Sequence, residues 1–434
     1  MKRDIYANLK DWKESPDRKP LLLKGTRQVG KTYILKEFGR SEYEDLFYLN
    51  FEENPELDNL FSRSLEPGRL IDLLAIYFKT SIEPGRHLII FDEIQASNNA
   101  LNSLKYFNEK AKEYHIVSAG SLIGIKLSKP KSFPVGQVNL LNLYPLSFME
   151  FLDALNRSEL RELIESWTDF EPFPEIFHNE LIDILRLYYI TGGMPEVVRK
   201  YIDSNDLNEV RNTQKEIIDT YVLDFAKHAT ASDIPKLSII WESIPAQLGK
   251  ENKKFIFSVI KKSARAREYE NAIQWLEDAG LIIRVNLTKS AKIPLKGYSD
   301  PGIFKIYYLD IGLLTAMAGI PPSIVTMNNR LFDEYKGAFV ENYVIQQLQS
   351  GMESKAYYWK SEGLAEVDFV VEYKNRIIPL EAKSGINPRS RSMKVYADKF
   401  NPDRFYRTSL LNLKKDGHVV NIPLYSVSLF PEII

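Results

Sequence analysis

The 434-residue chain has no cysteine, which excludes disulfides, thiolate metal sites and thiol nucleophiles. Histidine is nearly as scarce: the five present are scattered, none paired at ligand spacing, so no zinc centre is expected. No apolar run approaches the ~20 residues that cross a bilayer. The opening Met1-Lys2-Arg3-Asp4 leads into mixed polar sequence without a signal-peptide core. A cytoplasmic protein without membrane contact is therefore expected. Excess charge of one sign is missing too. With 57 basic and 58 acidic side chains the net charge is −1, so nucleic-acid contact would need local basic patches.

What remains has the composition of a globular protein, 44% hydrophobic and 26% charged, and is long enough for two to four domains. Neither internal repeats nor low-complexity tracts interrupt it. Short apolar runs alternate with helical spacing through residue 150. Strands are predicted at Leu21–Lys24, Leu46–Phe51, Leu88–Phe91, His115–Ser118 and Val138–Leu143. A helical stretch over 151–215 is broken by Thr191-Gly192-Gly193-Met194-Pro195. Over 216–325, helices precede a strand pair at Leu281–Leu287 and Phe304–Leu309, and Pro321-Pro322-Ser323 marks a boundary. Residues 330–434 open with a helix, followed by strands near 356–360, 366–372 and 376–382.

Residues 25–32, Gly-Thr-Arg-Gln-Val-Gly-Lys-Thr, match the phosphate-loop pattern between an apolar strand and a helix starting near Tyr33. Gly25 and Gly30 let the backbone curl so that successive N–H groups face phosphates, aided by the helix N-terminus. The candidate ATP-binding residues are Gly25, Thr26, Arg27, Gln28, Val29, Gly30, Lys31, Thr32 and Tyr33. Lys31 would reach the β- and γ-phosphates and the Thr32 hydroxyl would ligate Mg²⁺. The apolar run Leu88-Ile89-Ile90-Phe91 carries Asp92 to a strand end, where it would hold the magnesium. Glu93 follows, placed to activate water. Ser118 or Ser121, at the end of the next strand, would sense the γ-phosphate.

With these motifs the chain resembles the prokaryotic AAA+-like ATPases that carry a C-terminal PD-(D/E)xK nuclease-like domain. Further markers are Leu143-Tyr144-Pro145-Leu146-Ser147-Phe148-Met149-Glu150-Phe151, Gly192-Gly193-Met194-Pro195-Glu196 and Tyr307-Tyr308-Leu309-Asp310-Ile311-Gly312-Leu313. Others are Gly337 to Asn342, Glu366-Val367-Asp368-Phe369 and Pro379-Leu380-Glu381-Ala382-Lys383. The resemblance implies an α/β chain: a P-loop three-layer core (1–150), a helical lid (151–215), a winged-helix-like module (216–325) and a restriction-endonuclease-like α/β domain (330–434). It also implies that Gly193 and Pro195 touch the nucleotide base, although a helix-breaking turn accounts for them equally well. Where many relatives have Gly-Arg, this chain has Gly136-Gln137, leaving no assigned arginine finger.

Between 250 and 267, Lys250, Lys253, Lys254, Lys261, Lys262, Arg265 and Arg267 face one acid, Glu251. This stretch suits DNA phosphates or is the solvated face of a protein-docking module. At the C-terminus, Glu381 and Lys383 share one strand face, and a hairpin through Tyr373-Lys374-Asn375-Arg376 brings Asp368 beside them. Asp368 and Glu381 would bind Mg²⁺ or Mn²⁺, Lys383 would orient or deprotonate water, and Glu341 would assist from its helix. An ordinary polar hairpin is the alternative. Arg389, Arg391, Lys394, Lys399, Arg404 and Arg407 add basic surface. Two functions compete: an ATPase coupled to DNA engagement or cleavage, and an ATP-dependent switch that docks a protein partner.

Overall fold

A computed structural model describes residues 1–121, 136–167, 170–250, 253–262, 264–323, 333–352, 355–384 and 391–430. Glu251 and Arg389, named above, lie outside the described residues. The chain divides into two compact units, Lys2–Tyr144 with Asp278–Gly280, and Pro145–Glu277 with Leu281–Ile434.

The first unit is built on five parallel strands, β1 (Leu21–Gly25), β2 (Asp45–Asn50), β3 (His87–Asp92), β4 (His115–Ser121) and β5 (Asn139–Asn142), in the order β2-β3-β4-β1-β5. All five predicted strands are present. β3 and β4 are buried almost throughout, the condition of a parallel sheet covered on both faces. One core cluster joins Phe51, Phe61 and Phe91 edge to face at ring distances of 5.5–5.7 Å. The sheet order sets β1 between β4 and β5 and beside the strand that neighbours β3. The loops leaving β1, β3 and β4 therefore emerge at one carboxyl edge.

The second unit contains eight strands: β6 (Ile282–Thr288), β7 (Ser299–Tyr308), β8 (Tyr357–Lys360), β9 (Glu366–Tyr373), β10 (Arg376–Ala382), β11 (Phe405–Ser409), β12 (Lys414–Asp416) and β13 (Val419–Pro423). Their order is β12-β13-β11-β10-β9-β8-β6-β7. The predicted hairpin is there: β9 and β10 pair antiparallel through Lys374 and Asn375, both left-handed at φ 46° and 60°. The strand pair expected within 216–325 differs in its surroundings. β6 pairs in parallel with β8, so the pair continues the C-terminal sheet across the proline-marked boundary. Edge pairing explains this, because β6 would otherwise leave a row of backbone groups without partners.

Helix Asp333–Gly351 packs against β7 and β10. Its buried amides satisfy backbone in other elements: Asn342 takes the Tyr308 N–H at 2.7 Å, Gln346 that of Ile311 at 2.8 Å, and Gln347 that of Phe148 at 2.8 Å. Buried backbone donors need such partners. The Leu-Ser-Phe-Met-Glu marker is a capping box. Ser147 Oγ accepts from the Glu150 N–H, and the Glu150 carboxylate accepts from the Ser147 N–H, starting helix Phe148–Ala154. Among the described residues no helix is long and apolar enough to cross a membrane.

Candidate functional site

β1 ends at Gly25 and helix Lys31–Glu42 begins six residues later. Between them Gln28 and Gly30 adopt left-handed backbone, at φ 65° and 93°. Alternating handedness of this kind turns consecutive amides toward one concavity. Lys31 is buried and its ammonium folds onto the carbonyls of Gly25 and Thr26, at 3.1 and 2.8 Å. Burial lowers its pKa, an effect opposed by the nearby Glu93 and Asp92. The lysine therefore spans the loop that phosphates would fill.

Thr32 and Asp92 meet in a hydrogen bond. The Thr32 hydroxyl donates to Asp92 Oδ2 at 2.7 Å, and the Tyr48 hydroxyl donates to the same oxygen at 2.7 Å. Burial and the bond to Asp92 raise the Tyr48 pKa. A threonine hydroxyl beside a carboxylate is a hard-oxygen donor pair that fits Mg²⁺. Glu93 has left-handed backbone, φ 48°, and its carboxylate accepts from the Gln95 amide. Ser121 lies in register with Gly25, whereas Ser118 lies deeper, in register with Leu22 and Phe91. Of the two serines, Ser121 is thus the one brought to the loop. Arg27 lies 3.8 Å from Glu52 in an ion pair. Tyr33 is exposed at the first turn of the helix.

Sequence reasoning missed Arg3. Its buried guanidinium donates to the Val29 carbonyl at 3.0 Å and to the Tyr144 carbonyl at 2.6 Å, tying the loop to the end of the unit. Charged hydrogen bonds of this kind contribute about 1.5–3 kcal/mol. We predict that Arg3→Ala raises the nucleotide Kd about tenfold or more, with Arg3→Lys recovering part of it. Titration with a fluorescent ATP analogue would test this, and a Kd equal to that of the parent would refute it.

Gly193 and Pro195 lie in the second unit. The Gly193 N–H donates to Asp310 Oδ2 at 2.7 Å, and its carbonyl accepts from the Leu146 N–H at 2.6 Å. Pro195 opens helix Pro195–Ser204. Asp310, wholly buried, also caps helix Ile311–Met317 through the Leu313 N–H. Burial pushes its carboxyl up to about 6. Three sequence markers thus meet at one joint, around Leu146, Gly193 and Asp310.

The C-terminal residues come together, but with unexpected company. The Lys305 ammonium lies 2.6 Å from Glu366, 3.3 Å from Glu341 and 4.0 Å from Asp368. Lys253 pairs with the other Glu341 oxygen, and the Tyr307 hydroxyl donates to Glu341 at 2.7 Å. Burial pushes the Glu341 carboxyl up, yet Lys253 and Lys305 outweigh it and hold it at about 2. Asp368 Oδ2 accepts the Ala382 N–H at 2.9 Å. Its carboxyl is pushed up to about 7 by burial and by the Glu341 charge. Lys383 pairs with Glu381 at 2.6 Å, and the neighbouring carboxylates raise its pKa against the effect of burial.

One oxygen of each expected metal ligand, Asp368 and Glu381, is therefore already engaged. Among the described residues, no group of three or more histidines or carboxylates is arranged to hold a metal ion. As placed, the carboxylates face Lys305 and Lys253. A groove of about 620 Å³, lined by Asn375, Arg376, Arg404 and Tyr406 among others, opens at the starts of β10 and β11, the opposite end of β10 from Glu381.

Residues 17–152 match the family described as AAA domain. That match spans nearly the whole of the first unit and includes the phosphate loop. Residues 182–324 match a domain of unknown function (DUF8612), and residues 336–425 another (DUF4143). Among curated proteins, none matches the chain. Similar solved structures include the Walker-type ATPase PABY2304 of Pyrococcus abyssi, 14% identical over 73% of this chain and 95% of that one, with a TM-score of 0.46. The ORC1 protein of Aeropyrum pernix, solved in complex with DNA, is 12% identical over 74% of this chain and 94% of its own, TM-score 0.32. AMPPCP-bound DnaA from Aquifex aeolicus is 13% identical over 63% and 86%, TM-score 0.28. Each is a distant likeness.

Proposed function

We propose that the protein binds and hydrolyses ATP in its first unit and uses the nucleotide cycle to govern DNA engagement by the second. The observation that carries the first half is the convergence of Lys31, Thr32 and Asp92, with Glu93 next in line. Thr32 and Asp92 would hold Mg²⁺, which neutralises phosphate charge when Mg-ATP is bound. Lys31 would leave the Gly25 and Thr26 carbonyls for the phosphates. Glu93, turned by its left-handed backbone and steadied by Gln95, would take a proton from the attacking water. Ser121 would sense the γ-phosphate, and the amides of Gly25 to Tyr33 would surround the chain of phosphates.

DNA engagement rests on the basic stretch. Lys250, Lys261, Lys262, Arg265 and Arg267 are exposed, and the last two flank the start of helix Ala266–Asp278. Cations beside a helix N-terminus suit phosphate. A winged-helix-like role for 216–325 and a nuclease-like fold for 330–434 belong to this reading.

A second reading is a nucleotide-dependent switch that docks a protein partner and does not cut DNA. It is favoured by the lysines that pair with Glu341, and by Arg407, whose Nε donates to Asn421 Oδ1 at 3.0 Å. The deciding experiment is ATP turnover with and without single- and double-stranded DNA, alongside DNA binding at several salt concentrations. We expect turnover to rise with DNA and affinity to fall steeply with salt. Turnover indifferent to DNA, together with no salt-sensitive binding, would leave the switch reading in its place.

A further inference from the structure

We propose that the Lys305 ammonium is the resident cation of the C-terminal carboxylate cluster, and that this cluster works without a divalent metal. The inference rests on the reading of Asp368, Glu381 and Lys383 as the counterpart of a nuclease centre, and it says what has become of that centre here.

Lys305 sits on β7 with its side chain 1% exposed. Alternation along a strand puts Lys305 and Tyr307 on one face, and both reach Glu341 on the helix packed above. A lysine this deep is tolerated only with close countercharge. It has three carboxylates within 4.0 Å, from Glu341, Glu366 and Asp368. Its ammonium also lies 5.0 Å from the centre of the Tyr358 ring, a favourable cation–π distance.

Most of the cluster's oxygens are engaged. Glu341 divides its two between Lys253 on one side and Lys305 with Tyr307 on the other. Asp368 gives one to the Ala382 N–H and turns the other toward Lys305. One oxygen of Glu381 is held by Lys383. Magnesium demands near-octahedral oxygen at about 2.0–2.1 Å. To enter, it would have to displace the donors on Glu341 and sit against the buried positive charge of Lys305. Lys305 meets the cluster's need for positive charge through the chain itself, and Lys253 completes it. The carboxylates then act as an anchor joining β7, β9, the helix Asp333–Gly351 and the root of the basic stretch at Lys253.

The test is Mn²⁺ stoichiometry of the full chain, counted by electron paramagnetic resonance, against Asp368→Asn and Glu381→Gln. Equal stoichiometry in all three is expected, whatever the nucleotide site binds. One Mn²⁺ fewer in either folded variant would overturn the proposal. A second arm uses Lys305→Met, which keeps the stem and removes the charge. It should melt well below the parent, with part of the loss recovered when Glu366→Gln is added. A Lys305→Met protein that melts with the parent would also overturn it. Neither arm depends on ATP turnover or DNA, so the proposed function can fail or stand independently.

Discussion

Glu93→Gln is expected to lower ATP turnover by roughly 10²–10⁴-fold, the usual contribution of a positioned general base, while leaving nucleotide binding close to that of the parent. Glutamine matches the size of glutamate, so the turn at Glu93 and its contact with Gln95 need little adjustment. What disappears is the acceptor for the water's proton. Lys31→Ala should fail differently. Its ammonium is buried against the loop carbonyls, and removing it takes away a cation placed for the phosphates, so binding itself should weaken. Turnover and equilibrium binding measured on both variants separate the two roles. If Glu93→Gln turns over ATP within threefold of the parent, Glu93 is not the base.

The parts of this site that could be read from sequence are those carried by neighbouring residues. The loop 25–32 follows its strand directly, and Asp92-Glu93 ends another apolar run, so motif and strand announce each other. The β9–β10 hairpin was equally legible, because its turn residues sit between two β-branched runs. Contacts between distant positions were not. Lys305 is 36 residues from Glu341 and Lys253 is 88, and nothing in either local pattern marks a buried cation. Lys253 reads as one of a basic series suited to DNA phosphates or to solvent, whereas the structure pairs it with Glu341. Arg3 is hidden in the same way, within the mixed polar sequence that opens the chain. Strands β11, β12 and β13 escaped notice because they are three to five residues long and carry charges or turn residues. Their pairing is decided by the sheet they join, a case of tertiary context overriding local preference.

Gly193→Ala is the second large effect we expect, and it separates two roles for the Gly-Gly-Met-Pro turn. A Cβ at residue 193 would stand 2.1 Å from the Leu146 carbonyl oxygen and 2.8 Å from the Leu146 nitrogen. Both are backbone atoms, and neither can swing aside as a flexible side chain would. The Leu146 carbonyl is also held by the Tyr188 hydroxyl at 2.5 Å, and the Gly193 N–H is bound to buried Asp310. Relief of the clash would therefore break at least one buried hydrogen bond. Overpacking of this kind costs about 1–3 kcal/mol, and a lost buried partner adds about 1–3 kcal/mol more. Gly193→Ala should accordingly melt far below the parent or fail to accumulate as folded protein. Pro195→Ala, at the first position of its helix, should cost under about 1 kcal/mol and so remain available for binding measurements. If the turn touches the nucleotide base, folded Pro195→Ala will bind ATP more weakly. If it is only a joint around Asp310, ATP affinity will be unchanged while Gly193→Ala still unfolds. A Gly193→Ala protein as stable as the parent would remove the joint from consideration and leave nucleotide contact as the reason for the glycine.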